Sequence, residues 1–298
     1  MKAKTIIGVS SIITASSYIA YKKISNDIFK KIFYRNDKDY IIEEKYSNWL
    51  KESNVTDAEI ESFDGLKLKA LNVSNHETNN YVILVHGISN NKYGMLDRAF
   101  GFDSLGYNAL IIDQRSAGES QGEYYSYGFK ESLDITLWID YLIKNNPDVN
   151  IVLYGVSMGA ATVMLSLNQK LPKNVKCVIE DCGYSSMEEE IDYVIRKEHD
   201  LKYTKLILKL IEKQMIDKFG YSFEDVNVKK SLDKNEIPIM FIHGMEDELV
   251  PYEMSKKLYN HNLGEKKFYP VPNEGHCFAI NDPNYFNHIN HFIEKNLL

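Results

Sequence analysis

Ile151-Val152-Leu153-Tyr154-Gly155-Val156-Ser157-Met158-Gly159-Ala160-Ala161 decides how this chain is read. An apolar run with strand character leads into Gly-x-Ser-x-Gly, and small residues open a helix behind it. This is the grammar of a nucleophile elbow, a strained strand-to-helix turn that pushes a serine hydroxyl into the open. Gly155 and Gly159 are required because a side chain at either would strike the neighbouring strand or helix. The helix beginning at Met158 points its first N–H groups at whatever Ser157 attacks.

Working outward, the chain repeats a strand-then-helix rhythm from residue 81 onward. Strand-like runs fall at residues 81–85, 109–113, 151–154, 175–180, 237–242 and 267–271, with helical stretches at 95–105, 129–145 and 158–171. Continuous apolar strands alternating with helices predict a mostly parallel sheet covered on both faces. Functional groups then gather beyond the carboxyl ends of the strands. Alternation on both sides of Asp64-Gly65 predicts a β-hairpin before the first parallel unit. Between Gly183 and Glu236 the chain inserts more than a crossover needs. An acid-rich helix start at Ser186 and an apolar-faced helix at 204–219 predict a helical lid, about 184–235, over the serine. Its apolar underside suits an acyl or aromatic group.

The 298 residues are 44% hydrophobic, enough for one large domain with a sizeable core. Net charge is -7 with no long basic stripe, which excludes a nucleic-acid partner. The three cysteines, Cys177, Cys182 and Cys277, have no metal-ligand spacing and make no disulfide framework. Cys177 and Cys182 read as small buried hydrophobes.

Residues 5–21 carry no charge and are flanked by Lys2, Lys4, Lys22 and Lys23. They are expected to form an N-terminal anchor or signal-like helix within residues 1–24, making the protein membrane-associated, although six Ser/Thr residues weaken the run. Lys30, Lys31 and Arg35 tilt the orientation toward a cytoplasmic catalytic domain. A loosely packed helix of a soluble protein is the competing reading. Residues 25–57 read as amphipathic connecting helices, and 58–298 as the catalytic domain.

A serine hydroxyl needs a base within hydrogen-bond reach and an acid to orient that base. Behind an elbow the chain order is serine, acid, histidine. Asp247, after the strand-like run 237–242, is the expected acid, with Glu246 and Glu248 its chemically similar neighbours. His276, preceded by Gly275 in the loop after the last strand, is the expected base. The oxyanion hole is expected from the N–H groups of Met158 and of Ile88, the latter following His86-Gly87. His86 is expected to brace its loop rather than act as a base. Asp113 and Arg115 are expected to brace the loops around the elbow.

His86-Gly87, the Asp-x-Arg-x-x-Gly-x-Ser run 113–120, Gly-Val-Ser-Met-Gly at 155–159, His243-Gly244-x-x-Asp247 with Val250-Pro251, and Gly275-His276 together resemble the α/β-hydrolase superfamily. The closest likeness is to its bacterial serine-aminopeptidase-like branch, often N-terminally anchored. Ser116-Ala117 stands where relatives often carry Gly-His, so that loop lacks its usual structural histidine. The resemblance implies the α/β-hydrolase fold, a triad of Ser157, Asp247 and His276, an acyl-serine intermediate and no cofactor. The expected activity is hydrolysis of a carboxylic ester, thioester or small amide on a small-molecule acyl substrate. Esters are preferred because no acidic pocket for a substrate amino group is recognisable; an aminopeptidase is the alternative. Dehalogenase and epoxide-hydrolase chemistry is disfavoured, since it uses Asp where Ser157 stands. A membrane-tethered binding protein that keeps the fold without the chemistry is the reading from another class, and the complete triad argues against it.

Overall fold

The computed structural model describes residues 15–34, 40–199 and 204–297. In chain order these form α1 (Ala15–Phe33), α2 (Glu44–Glu52), β1 (Val55–Glu61), β2 (Lys67–Val73), β3 (Asn80–Val85), α3 (Leu96–Ser104), β4 (Asn108–Ile112) and α4 (Phe129–Asn145). Then follow β5 (Asn150–Val156), α5 (Met158–Leu165), β6 (Val175–Asp181), α6 (Met187–His199), α7 (Lys205–Phe219) and the single turn α8 (Val228–Ser231). The chain closes with β7 (Ile239–Gly244), α9 (Tyr252–His261), β8 (Lys266–Val271) and α10 (Tyr285–Leu297).

The Asp64-Gly65 alternation becomes the antiparallel β1–β2 hairpin, with Val55 opposite Val73 and Glu61 opposite Lys67. Among the described residues, eight strands make one sheet in the order β1-β2-β4-β3-β5-β6-β7-β8. Pairing is antiparallel up to β4 and parallel from there to β8. The central strands are apolar on both faces because both faces are covered. Along β5, Ile151 and Leu153 face a core that includes Trp138 of α4, while Val152 and Tyr154 face one that includes Phe102 of α3 and Phe292 of α10. Helix α5 lies so deep that every residue from Met158 to Leu165 is buried. It is shorter than the stretch expected from sequence. After Leu165 the chain tightens into a 3-10 turn, where Ser166 Oγ donates to Val163 O at 2.7 Å and competes with the helical ladder.

The N-terminal region holds the main difference from the sequence reading. The boundary expected at residue 24 falls inside the continuous helix α1. The far half of α1 is part of the core of the sheet domain: Phe29 and Phe33 are buried and pack on Phe219 of α7, at ring-centroid distances of 5.5 Å and 5.3 Å. Gln214 of α7 donates to Ser25 Oγ at 3.0 Å, and Tyr125 N–H donates to Phe33 O at 2.8 Å. Lys22 and Lys23, expected to mark the end of the apolar run, therefore lie within a helix whose far half is packed on the domain. Among the described residues no helix is long and apolar enough to cross a membrane. Of the expected anchor at residues 1–24, the first fourteen lie outside the described residues.

Candidate active site

The elbow forms at the carboxyl edge of β5. Ser157 takes φ 56° and ψ -119°, a strained left-handed conformation that lifts its side chain off the strand. A Cβ on Gly155 would sit 2.2 Å from Gly159 O, and one on Gly159 would sit 2.1 Å from Val85 O. Those contacts explain both glycines: α5 presses against β5 and β3 at backbone distance.

Two hydrogen bonds run away from the serine. His276 Nε2 lies 2.9 Å from Ser157 Oγ, and His276 Nδ1 lies 2.7 Å from Asp247 Oδ2. Asp247 sits in the turn after β7, where its other oxygen accepts from the N–H groups of Leu249 and Val250, each at 2.9 Å. Glu246 and Glu248 do not take its place; Glu248 instead pairs with Lys197 on the surface at 2.9 Å. Asp247 has one partner that sequence reasoning did not assign. His243 Nε2, fully buried, lies 3.2 Å from Asp247 Oδ2 and 2.9 Å from Val250 O. Burial works against charge on Asp247, but its hydrogen bonds to His243 and His276 outweigh this and hold the carboxyl well below its usual range. Burial likewise opposes charge on His276, and the bond to Asp247 overrides it, raising the imidazole pKa above the ordinary histidine value.

The expected oxyanion donors flank the serine. Met158 opens α5, and Ile88 lies in the loop after β3; both line one cavity with Ser157. That loop is fastened from below. Buried His86 donates from Nδ1 to Gly87 O at 2.7 Å and accepts from Gln114 N–H at 3.0 Å on Nε2. Gln114 also donates to His86 O at 2.6 Å and accepts from Thr162 of α5 at 3.1 Å. Both ring nitrogens of His86 are thereby engaged, which fits the bracing role expected for it. Arg115 grips Asp134 of α4 at 2.7 Å and Asp64 of the hairpin tip at 2.9 Å, and Asp113 binds buried Lys92 at 2.6 Å. At the position where relatives often carry Gly-His, Ser116 takes φ 65° and donates to Tyr124 O at 2.7 Å, supplying the loop with another brace.

Two cavities meet at Ser157. The larger, about 350 Å³, runs between α1 and α6 and is walled mainly by Ile28, Ile32, Ile88, Ile191, Val194 and Ile195. Helix α1 as a wall was not foreseen, because an apolar helical stripe shows which side is buried but not what covers it. Glu190 of α6 also faces this cavity. It is 7% exposed, its Oε2 has no hydrogen-bond partner, and burial pushes its carboxyl up to about 8. The smaller cavity, about 170 Å³, also reaches Ser157 and is lined by Asn90, Met95, Arg98, His276 and Cys277. Among the described residues, Cys182, His276 and Cys277 bring three potential ligand atoms within 4.8 Å. Because His276 already uses both ring nitrogens, an ion there would have to displace Ser157 or Asp247.

Comparisons with known proteins agree with the fold. Residues 76–183 match the family model described as serine aminopeptidase, S33. The Bacillus subtilis protein YqkD, described as uncharacterized, is 30% identical over 260 residues, covering 87% of this chain and 82% of its own. A Saccharomyces cerevisiae protein described as an uncharacterized membrane protein, YNL320W, is 25% identical, covering 79% of this chain and 78% of its own. Among solved structures, a Pyrococcus furiosus esterase, Pf2001, superposes with a TM-score of 0.72 at 20% identity, covering 90% of this chain and 100% of the esterase. At that identity the likeness is one of fold.

Proposed function

Since the chain belongs to the α/β-hydrolases of the serine-aminopeptidase S33 type, we propose that it is a serine hydrolase that cleaves a carboxylic ester through an acyl-serine intermediate. The observation that carries this reading is the continuous line Asp247–His276–Ser157, with bonds of 2.7 Å and 2.9 Å, ending where two cavities open. Ser157 Oγ attacks the acyl carbon while His276 Nε2 takes its proton. Asp247 holds the ring in the tautomer that leaves Nε2 free and stabilises the imidazolium that forms. The developing oxyanion is met by the N–H groups of Ile88 and Met158, each worth about 3 kcal/mol in kcat terms. His276 then returns the proton to the leaving alcohol, and water repeats the cycle on the acyl-enzyme. The apolar cavity beneath α1 and α6 receives the acyl chain, and the smaller cavity receives the leaving group. Thioesters and small amides follow the same path.

The test is fluorophosphonate labelling of the protein beside its Ser157→Ala variant, followed by p-nitrophenyl esters of increasing acyl length. Labelling and turnover should both vanish in the variant while its melting curve stays in place. Retained turnover would remove Ser157 from the mechanism.

One observation favours the aminopeptidase alternative: Glu190, buried in the larger cavity with a free oxygen, could pair with a substrate amino group. Glu190→Gln separates the two. On the ester reading it leaves hydrolysis of plain acyl esters within a few-fold. On the peptidase reading it removes activity on aminoacyl amides selectively, because a buried charge partner is lost.

A further inference from the structure

We propose that Cys182 and Cys277 form an oxidant-sensitive dithiol whose closure to a disulfide draws His276 away from Ser157. The two sulfurs lie 3.6 Å apart, and both cysteines are reduced. A disulfide needs about 2.0 Å, so the sulfurs must close by about 1.6 Å. The two halves are unequally anchored. Cys182 is fully buried at the end of β6, where its N–H donates to Ile242 O at 2.9 Å and ties it to the sheet. Cys277 lies in the loop after β8, held through its carbonyl by Arg98 Nη2 at 2.7 Å. The loop is the half that moves, and His276 is its preceding residue.

Both cysteines occupy left-handed backbone conformations, φ 55° for Cys182 and φ 66° for Cys277. Glycine or asparagine would hold those positions with less strain, so the backbone conformation does not account for a cysteine at either. Access is one-sided. Cys277 lines the smaller cavity beside Ser157, while Cys182 is shielded behind it. The reactive thiol is therefore Cys277. The Cys182 thiol donates toward it, and neighbouring His276 adds to the effect, bringing the Cys277 pKa down to about 6 despite burial. A thiolate at that position is the attacking species.

With a peroxide the step balances. The Cys277 thiolate attacks one peroxide oxygen, the O–O bond breaks, and a proton is taken up, giving a sulfenic acid and one water. The Cys182 thiol then attacks the Cys277 sulfur, the S–O bond breaks, and the second water leaves. Two thiols are oxidised and one peroxide is reduced to two waters. The consequence for turnover rests on the hydrolase reading, since it acts through His276; the cross-link itself does not. A displacement of about 1 Å in a catalytic group costs on the order of 10²-fold in rate.

The experiment treats the full-length protein briefly with hydrogen peroxide, alkylates remaining thiols, and maps peptides by mass spectrometry. Ester turnover is measured before oxidation, after it, and after dithiothreitol. The expected result is a peptide linking residues 182 and 277 that is two hydrogens lighter than the free pair, with Cys177 alkylated. Turnover should fall about 10²-fold and return with reductant. Cys277→Ser should lose the oxidant response, so that its treated and untreated rates agree. Three alkylated cysteines after treatment, a cross-link that leaves turnover unchanged, or a Cys277→Ser protein as oxidant-sensitive as the parent would each overturn the proposal. A reduced protein that hydrolyses no ester counts against the hydrolase reading, while the peptide map still decides the dithiol.

Discussion

At the residue scale, the distinctive feature is a carboxylate shared by two imidazoles. Asp247 Oδ2 lies 2.7 Å from His276 Nδ1 and 3.2 Å from His243 Nε2. The backbone N–H groups of Leu249 and Val250 hold its other oxygen, so the carboxylate cannot turn away from either ring. Its charge raises the His276 pKa, and a proposed base works only when neutral. The sign follows: kcat/KM should climb with pH as His276 loses its proton, with a midpoint above the ordinary histidine value near 6.5. Asp247→Asn removes the charge that favours the imidazolium. The limb should then move toward acid while kcat falls by on the order of 10⁴-fold, because the tautomer is no longer enforced. A pH–rate profile of both proteins checks this. A midpoint that stays put in the variant would mean that the limb belongs to another group, with Glu190 at about 8 and Cys277 at about 6 the nearby candidates.

At the element scale, the parts of the sequence with strong period or strong punctuation were legible. Alternation around Asp64-Gly65 marked the β1–β2 hairpin, and the six apolar runs from residue 81 marked the strands from β3 to β8. Ser157, Asp247 and His276 could be picked out because each directly follows a strand, and a parallel sheet brings strand ends to one edge. What stayed hidden is contact between elements distant in sequence. The apolar stripe of α7 pointed to a covered face, but only the fold reveals that Phe219 packs on Phe29 and Phe33 of α1 and stacks on Tyr124 at 3.8 Å. Glu190 read as one acid among three in a helix N-terminal turn, where acids are favoured anyway. In the fold it is buried and lines the larger cavity together with Ile28 and Ile32 of α1. The Cys182–Cys277 contact is hidden for the same reason, since 95 residues separate the pair.

At the scale of the whole molecule, α1 makes the N-terminal region a wall of the larger cavity, the proposed acyl site, and this changes what truncation should do. Lys31 of α1 pairs with Glu198 of α6 at 2.9 Å, closing one side of the larger cavity, and Ile28 and Ile32 form its inner surface. A chain starting at Ala15 keeps all of these contacts and should retain turnover and melting temperature. If residues 5–21 are what brings the protein to membranes, the same chain should also shift from the membrane fraction to the supernatant. A chain starting at Tyr34 loses the burial of Ile28, Phe29 and Phe33. At roughly 2 kcal/mol for each large apolar side chain, that is on the order of 6 kcal/mol, a large share of a typical domain's stability. It also opens the cavity to water along one side. The expected outcome is a melting temperature lower by tens of degrees, with the remaining ester turnover no longer favouring longer acyl chains. Thermal melts and an acyl-length series on the two truncated chains decide it. If the shorter chain melts like the parent and keeps the same chain-length optimum, α1 is an appendage, and the acyl chain must lie elsewhere than against Ile28 and Ile32.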